Sequence, residues 1–343
     1  MMVHHEKQLQ SSRAITGTTV ILISLALMVF GFYYSITSGA ADISGADVRQ
    51  AFSHFNAEKE THLIVMDLRL PRALAALLVG AGFAVAGALM QGVTQNPLAD
   101  PGLLGVNAGA QFMLVIVFAF FPFLPFSSII LFCFVGGGFG ALLVYGIAFL
   151  SAGGMTPVKL ALAGAVVSAV LVGVSQGLAI LFELNYEMAF WEAGGVAGAE
   201  WTQVRVIIPW ILLGLVIAIL LSSYITMLNL GEEMAKGLGQ RVNLIKIGAA
   251  VSVFLLAGAA VSTVGGVSFV GLLVPHIVRY LTGTDYRWIV PCSALVGAAA
   301  VLWADIGAKM VNAPYETPLG SIISLVGVPF FIYLARRQRR ELY

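Results

Sequence analysis

A chain of 343 residues that is 59% hydrophobic and only 10% charged cannot hide its apolar surface in a water-soluble fold, and it reads as an all-α, polytopic membrane protein. A formal net charge of +1 gives no sign of nucleic-acid binding. Cys133 and Cys292 lie in or beside apolar runs as small core residues, and the five histidines show no metal-ligand spacing, so neither a metal site nor a cofactor is expected.

The first apolar run, Ile15 to Tyr34, follows a polar head with Lys7 and Arg13. It is too long for a signal-peptide core and reads as an uncleaved first span. Ten apolar runs follow one another, at about 14–37, 70–90, 103–121, 129–150, 158–182, 206–227, 244–264, 267–280, 288–306 and 319–335. They predict about ten transmembrane helices, the eighth short enough to be tilted or broken. With the N-terminus inside, twelve of the eighteen Lys and Arg residues fall on the inner side, among them Lys7, Lys159, Arg241, Arg287 and Arg336. The bias puts both termini in the cytoplasm. No linker interrupts the chain, so residues 1–343 read as a single transmembrane domain. The outer segment 183–205, with Trp191 and Trp201, reads as a short helix lying at the interface.

The second run begins with Arg69 and Arg72, which flank Pro71 and share one helix face at the outer surface. Two fixed guanidiniums there can take carboxylates bidentately from a docking protein, or they can snorkel to lipid headgroups. The run closes in a polar inner turn, Gln95 to Pro101, before apolar sequence resumes at Leu103. Gly102-Leu103-Leu104-Gly105-Val106 after that inner turn and Gly271-Leu272-Leu273-Val274 after an outer one are placed as an inverted repeat would place them. Small residues are dense: Gly80, Ala84 and Ala88 at four-residue spacing, Gly136 to Gly138 with Gly140, and a GxxxG at Gly173 and Gly177. Gly164, Ser168 and Ser175 share a face of the fifth span and offer a weakly polar wall for a translocation path, or simply pack.

The longest inner connection runs from Asn229 to Val242. Gly231 to Lys236 reads as a short helix, followed by a turn that Gly237 and Gly239 permit. Leu230, Met234 and Leu238 line one side at spacing of four and suit a groove on a partner. Glu232 and Glu233 favour the helix N-terminus and can also meet basic residues of that partner. Lys236 completes the segment. Near the end of the ninth span, Asp305 and Lys309 stand four apart, as an ion pair or as ligand-binding groups. No nucleotide-binding motif, catalytic triad or paired catalytic carboxylates appear, so the chain is not expected to be an enzyme, and if it takes part in powered transport the energy must come from a partner.

RLPRALAALLVGAGFAVAGALMQGVTQNPLADPGLLGVNAGA, LNLGEEMAKGLGQRV, SFVGLLVPHIVRYLTGTDYRWIVPCSALVGAAAVLWADIGAK and ETPLGSIISLVGVPFFIYLARR together resemble the FecCD family, permeases of ABC importers for iron–siderophore complexes, haem and vitamin B12. The resemblance covers nearly the whole chain from the second span onward. It implies a type II ABC importer permease fold of ten helices and a second permease subunit, the same or a paralogue. It further implies ABC ATPase subunits in the cytoplasm, an extracytoplasmic substrate-binding protein, and a bacterial cytoplasmic membrane as the site of work. Arg69 and Arg72 match the docking arginines; Lys309 stands where relatives often have a third, keeping the charge without the bidentate fork. Residues 229–242 match the coupling helices, Asn96 and Leu98 an inner gate, and the turn Ser151 to Val158 a second gate, for which Thr156 is the residue carried over. The alternative reading, a secondary carrier of metal chelates, needs proton- or sodium-coupling residues, and no chain of buried carboxylates is legible.

Overall fold

A computed structural model of the chain describes residues 2–39, 41, 43–151, 156–193, 195–313 and 315–340. Every regular element among them is helical, and each of the ten apolar runs forms a helix. Seven helices are long and apolar enough to cross a membrane, and three shorter apolar ones accompany them.

Helix α1 (Met2–Thr37) is followed by α2 (Gly45–Ser53), whose N-terminus is closed by a capping box between Ser44 and Asp47. The second run is longer than its apolar part indicates. Helix α3 (Glu60–Leu63) passes through a π-helical turn, Ile64–Arg69, into α4 (Leu70–Thr94) without a break. Gln95, at φ 52°, ends α4, and a 3₁₀ turn at Pro101–Leu104 leads into α5 (Val106–Phe120). Helices α6 (Phe126–Leu150) and α7 (Pro157–Leu181) follow. Then come α8 (Asn185–Ala193), α9 (Trp201–Leu228) and the short α10 (Glu232–Gly237). Helices α11 (Val242–Val264), α12 (Val270–Thr282), α13 (Tyr286–Val311) and α14 (Leu319–Arg340) complete the bundle.

Helix α4 is the axis, with 78% of its apolar window buried against α9, α11, α12 and α13. Helix α1 is the opposite case: it leans mainly on α13, and only 17% of its window is covered. Its seat is built from Trp288 and Trp303, which fill the spaces left by Gly17 and Gly31; the Trp303 indole N–H donates to the Leu27 carbonyl at 3.2 Å.

The small residues of α4 let backbones meet. Gly80 lies against the Gly297 backbone of α13, and Gly87 against the Gly271 backbone at the start of α12. Pro101, ahead of α5, also packs on Gly271. The two glycine-leucine strings thus begin short helices that start inside the bundle and touch there. Helix α12 is short because residues 265–269 run non-helically back from the end of α11, with Phe269 at φ 70°. Pro275 has no N–H to give the Gly271 carbonyl four residues earlier, and the buried Gln91 supplies one: its Nε2 donates to Gly271 and Leu272 at 3.3 Å each. Gly87→Val should therefore abolish recovery of folded protein, because backbone cannot step aside for a Cβ; even a modest overlap of this kind costs about 2–3 kcal/mol. Gly177→Ala, facing open space, is the matched control. Fluorescence-detected size exclusion compares them.

One expectation needs correcting. Trp201 is not part of the short helix α8; it opens α9, and its indole N–H donates to the Met66 carbonyl in the π-helical turn at 2.7 Å. The turn leaves that carbonyl open to an outside donor, and the Trp201 indole fills the role.

Candidate docking basin, coupling helix and path

At the Arg72 end of the bundle the three cations singled out from the sequence lie around one basin of about 410 Å³. Each is buried and already engaged. Arg69 donates to the carbonyls of Ile36 at 2.7 Å, Thr37 at 2.8 Å and Ala41 at 2.6 Å, closing the open C-terminal end of α1. Arg72 points the other way. Its Nε and Nη2 donate to Asp305, the shortest contact 2.8 Å, and its Nη1 and Nη2 grip Glu316 as a fork at 2.6 and 2.8 Å. Lys309 donates to Asp305 Oδ2 at 3.0 Å and to the Ser35 hydroxyl at 3.0 Å. Arg69 and Arg72 thus work on different neighbours, although three-residue spacing puts them side by side along the helix. Asp305 is 1% exposed at its side chain and joins α4 to α13; Glu316 is half-exposed on the connection between α13 and α14. The Arg72 guanidinium holds the Glu316 carboxyl below the usual range. Sequence reading missed Glu316, whose partner is 244 positions away; its only signal was an acid standing just before the last apolar run.

At the α10 end, the short helix presents Leu230, Met234 and Leu238 at 65%, 58% and 64% exposure, while Ala235 on its other side is fully buried. Glu232 turns inward, bonding Lys246 of α11 at 2.7 Å and Lys236 at 3.0 Å, and the Lys246 contact lowers its carboxyl below the usual range. Only Glu233 of the two acids points outward. The backbone also redistributes the glycine roles. Gly231 and Gly239 hold positive φ, 126° and 81°, whereas Gly237 is the helical last residue of α10 with open space around it.

Between these ends, α7 shows two faces. Gly164 and Ser175 are buried and Ser168 half-buried; the Ser175 hydroxyl donates to the Leu171 carbonyl of its own helix. The exposed stripe is instead Ala165, Ala169, Gly173 and Gly177, again at four-residue spacing. At the foot of α4, Asn96 accepts from the Leu98 backbone N–H at 3.0 Å and lines a cavity of about 320 Å³ with Met90, Thr94 and Val158. Thr156 caps α7 by accepting from the Lys159 N–H. Residues 152–155 of the second gate turn lie outside the described residues.

A polytopic bundle with helices broken inside it, a charged basin at one end and a short helix flanked by exposed apolar side chains at the other defines a membrane permease. The chain belongs to the FecCD transport family, whose match runs over residues 27–337. It is 48% identical to the iron(3+)-hydroxamate import system permease protein FhuB of Bacillus subtilis, over 97% of this chain and 86% of that protein. It is 43% identical to the Fe(3+)-citrate import system permease protein YfmD of the same organism, over 98% and 99%. A solved metal-chelate type ABC transporter in an inward-facing conformation superposes with a TM-score of 0.81 at 27% identity, covering 93% of this chain and 99% of that one.

Proposed function

We propose that this permease is the membrane subunit of an ATP-driven importer that passes ferric hydroxamates or related iron(III) chelates into the bacterial cytoplasm. The observation that carries the coupling to ATP is the α10 segment: Leu230 ahead of the helix, Met234 on it and Leu238 at its C-terminal cap stand exposed, its other side is anchored to α11, and the chain has no nucleotide-binding motif of its own. The excess of Lys and Arg at the α10 end supports a cytoplasmic position for it, where ABC ATPase subunits would meet it. The Arg72 end then faces outward and receives an extracytoplasmic binding protein. The stripe of Ala165, Ala169, Gly173 and Gly177 faces a second permease subunit across the path, and residues 1–343 act as one unit. Identity to ferric-chelate permeases supports the substrate class.

The test is uptake of radiolabelled iron(III)–hydroxamate by cells expressing the full importer. Uptake should be abolished by vanadate and survive collapse of the proton gradient. Uptake that instead follows the gradient and ignores vanadate overturns the reading in favour of a secondary carrier.

A further inference from the structure

We propose that Glu316 is an internal stand-in for the docking partner's carboxylate: a latch that occupies Arg72 until the partner's acid replaces it. The inference rests on the docking role proposed for the basin. Arg72 is the one cation there with a ligand that can leave. Releasing Arg69 would strand the carbonyls of Ile36, Thr37 and Ala41. Asp305 is fully enclosed and shared between Arg72 and Lys309. Glu316 is different on both counts. Its side chain is half-exposed, and it sits in a non-helical connection between Val311 and Leu319.

Charge makes the exchange necessary. With Glu316 in place, Arg69, Arg72 and Lys309 face Asp305 and Glu316 across the basin. Without it, Arg72 and Lys309 share the one buried carboxylate of Asp305, and Glu200, the other acid on the basin lining, is taken up in the capping box of α9, so a second carboxylate is called for at Arg72, and either an internal or an external one satisfies it by the same fork. Both cannot: the guanidinium already spends Nε and Nη2 on Asp305 and Nη1 and Nη2 on Glu316.

Position gives the exchange a consequence. Glu316 lines the 410 Å³ basin and also a neighbouring cavity of about 510 Å³ walled by Tyr186, Trp191, Phe126 and Gln203. With Ala197 and Gly198, which line both, it forms the partition between them. It also lies three residues before α14, and Thr317 N–H reaches the Ala308 carbonyl at only 3.4 Å. Swinging Glu316 out joins the two cavities and frees the start of α14, so that docking on one side is felt inside the bundle.

The experiment uses the importer complex in lipid nanodiscs, with the purified binding protein of the same importer as probe. Its readout is the binding-protein concentration that half-maximally stimulates ATPase activity. If the latch is closed about nine-tenths of the time, Glu316→Gln lowers that concentration about tenfold, since the apparent affinity scales with the competent fraction. Glu316→Asp, one methylene short of the fork, falls between. Hydrogen exchange of the Tyr315–Thr317 amides should rise on docking in the wild type and be high already in Glu316→Gln. An unchanged or raised half-maximal concentration overturns the latch, as does exchange that docking leaves untouched. Ala313→Cys on the basin rim, carrying a photocrosslinker, separates the two readings: the native cysteines are buried. Crosslinking with no effect of Glu316→Gln sinks the latch alone; no crosslinking sinks the docking reading beneath it.

Discussion

Replacing Asp305 with alanine should destabilise the permease by about 3–5 kcal/mol, the cost of leaving buried charge without its partner. Asp305 accepts from Arg72 at 2.8 Å and from Lys309 at 3.0 Å, and both cations have side chains only 9% exposed. Alanine leaves two enclosed cations, Arg72 still paired with the half-exposed Glu316 and Lys309 holding the Ser35 hydroxyl. Asp305→Asn should be milder, because the amide oxygen still accepts a hydrogen bond while the charge is gone. Adding Lys309→Met to Asp305→Asn should return part of the loss, since the second orphaned charge goes with it. Thermal unfolding of the detergent-solubilised protein measures all three. An Asp305→Ala variant that melts with the wild type would show that the triad does not hold α4 to α13.

Met234→Asp with Leu238→Asp should leave the permease folded in the membrane yet stripped of its ATPase. Both side chains are more than half exposed and support no interior packing, so folding has little to lose. Binding has much to lose, because a few large apolar anchors usually dominate an interface. Burying one such side chain is worth about 1.5–3 kcal/mol. Losing two and desolvating two carboxylates instead weakens association by more than about a hundredfold. Affinity purification through a tag on the permease should return it without ATPase. Wild-type stoichiometry with normal transport would mean that this face of α10 is not where the ATPase sits.

The helices were legible because lipid imposes a simple demand: an apolar run of sufficient length must satisfy its own backbone. The short eighth run was legible for the same reason, as α12 cannot cross unaided. What a neighbour does was not legible. Arg69 and Arg72 look alike in sequence, but one serves carbonyls of α1 and the other two acids, the nearer of them 233 positions away. The π-helical turn at Ile64–Arg69 leaves no mark in composition, so the helix seemed to start at Leu70 and Trp201 seemed free for the interface. Helix α7 carries small residues on two faces, and periodicity alone did not tell the packed Gly164, Ser168 and Ser175 from the open Ala165, Ala169, Gly173 and Gly177. Glu232 and Glu233 are adjacent, yet only the fold brings Lys246 to one of them.

The seating of α1 has a bearing on the order of synthesis. This helix is made before α13, to which the tryptophans that receive it, Trp288 and Trp303, belong. Throughout translation α1 must stand in lipid with no protein beside that face. Its sparse coverage fits that wait, since a helix whose window is only 17% covered in the finished bundle exposes little more while it stands alone. Arg69, which follows α2 and α3, is made long before α13 and can fasten the open carbonyls of Ile36 and Thr37 ahead of it. The chain thereby fastens α1 at one end before α13 closes its flank.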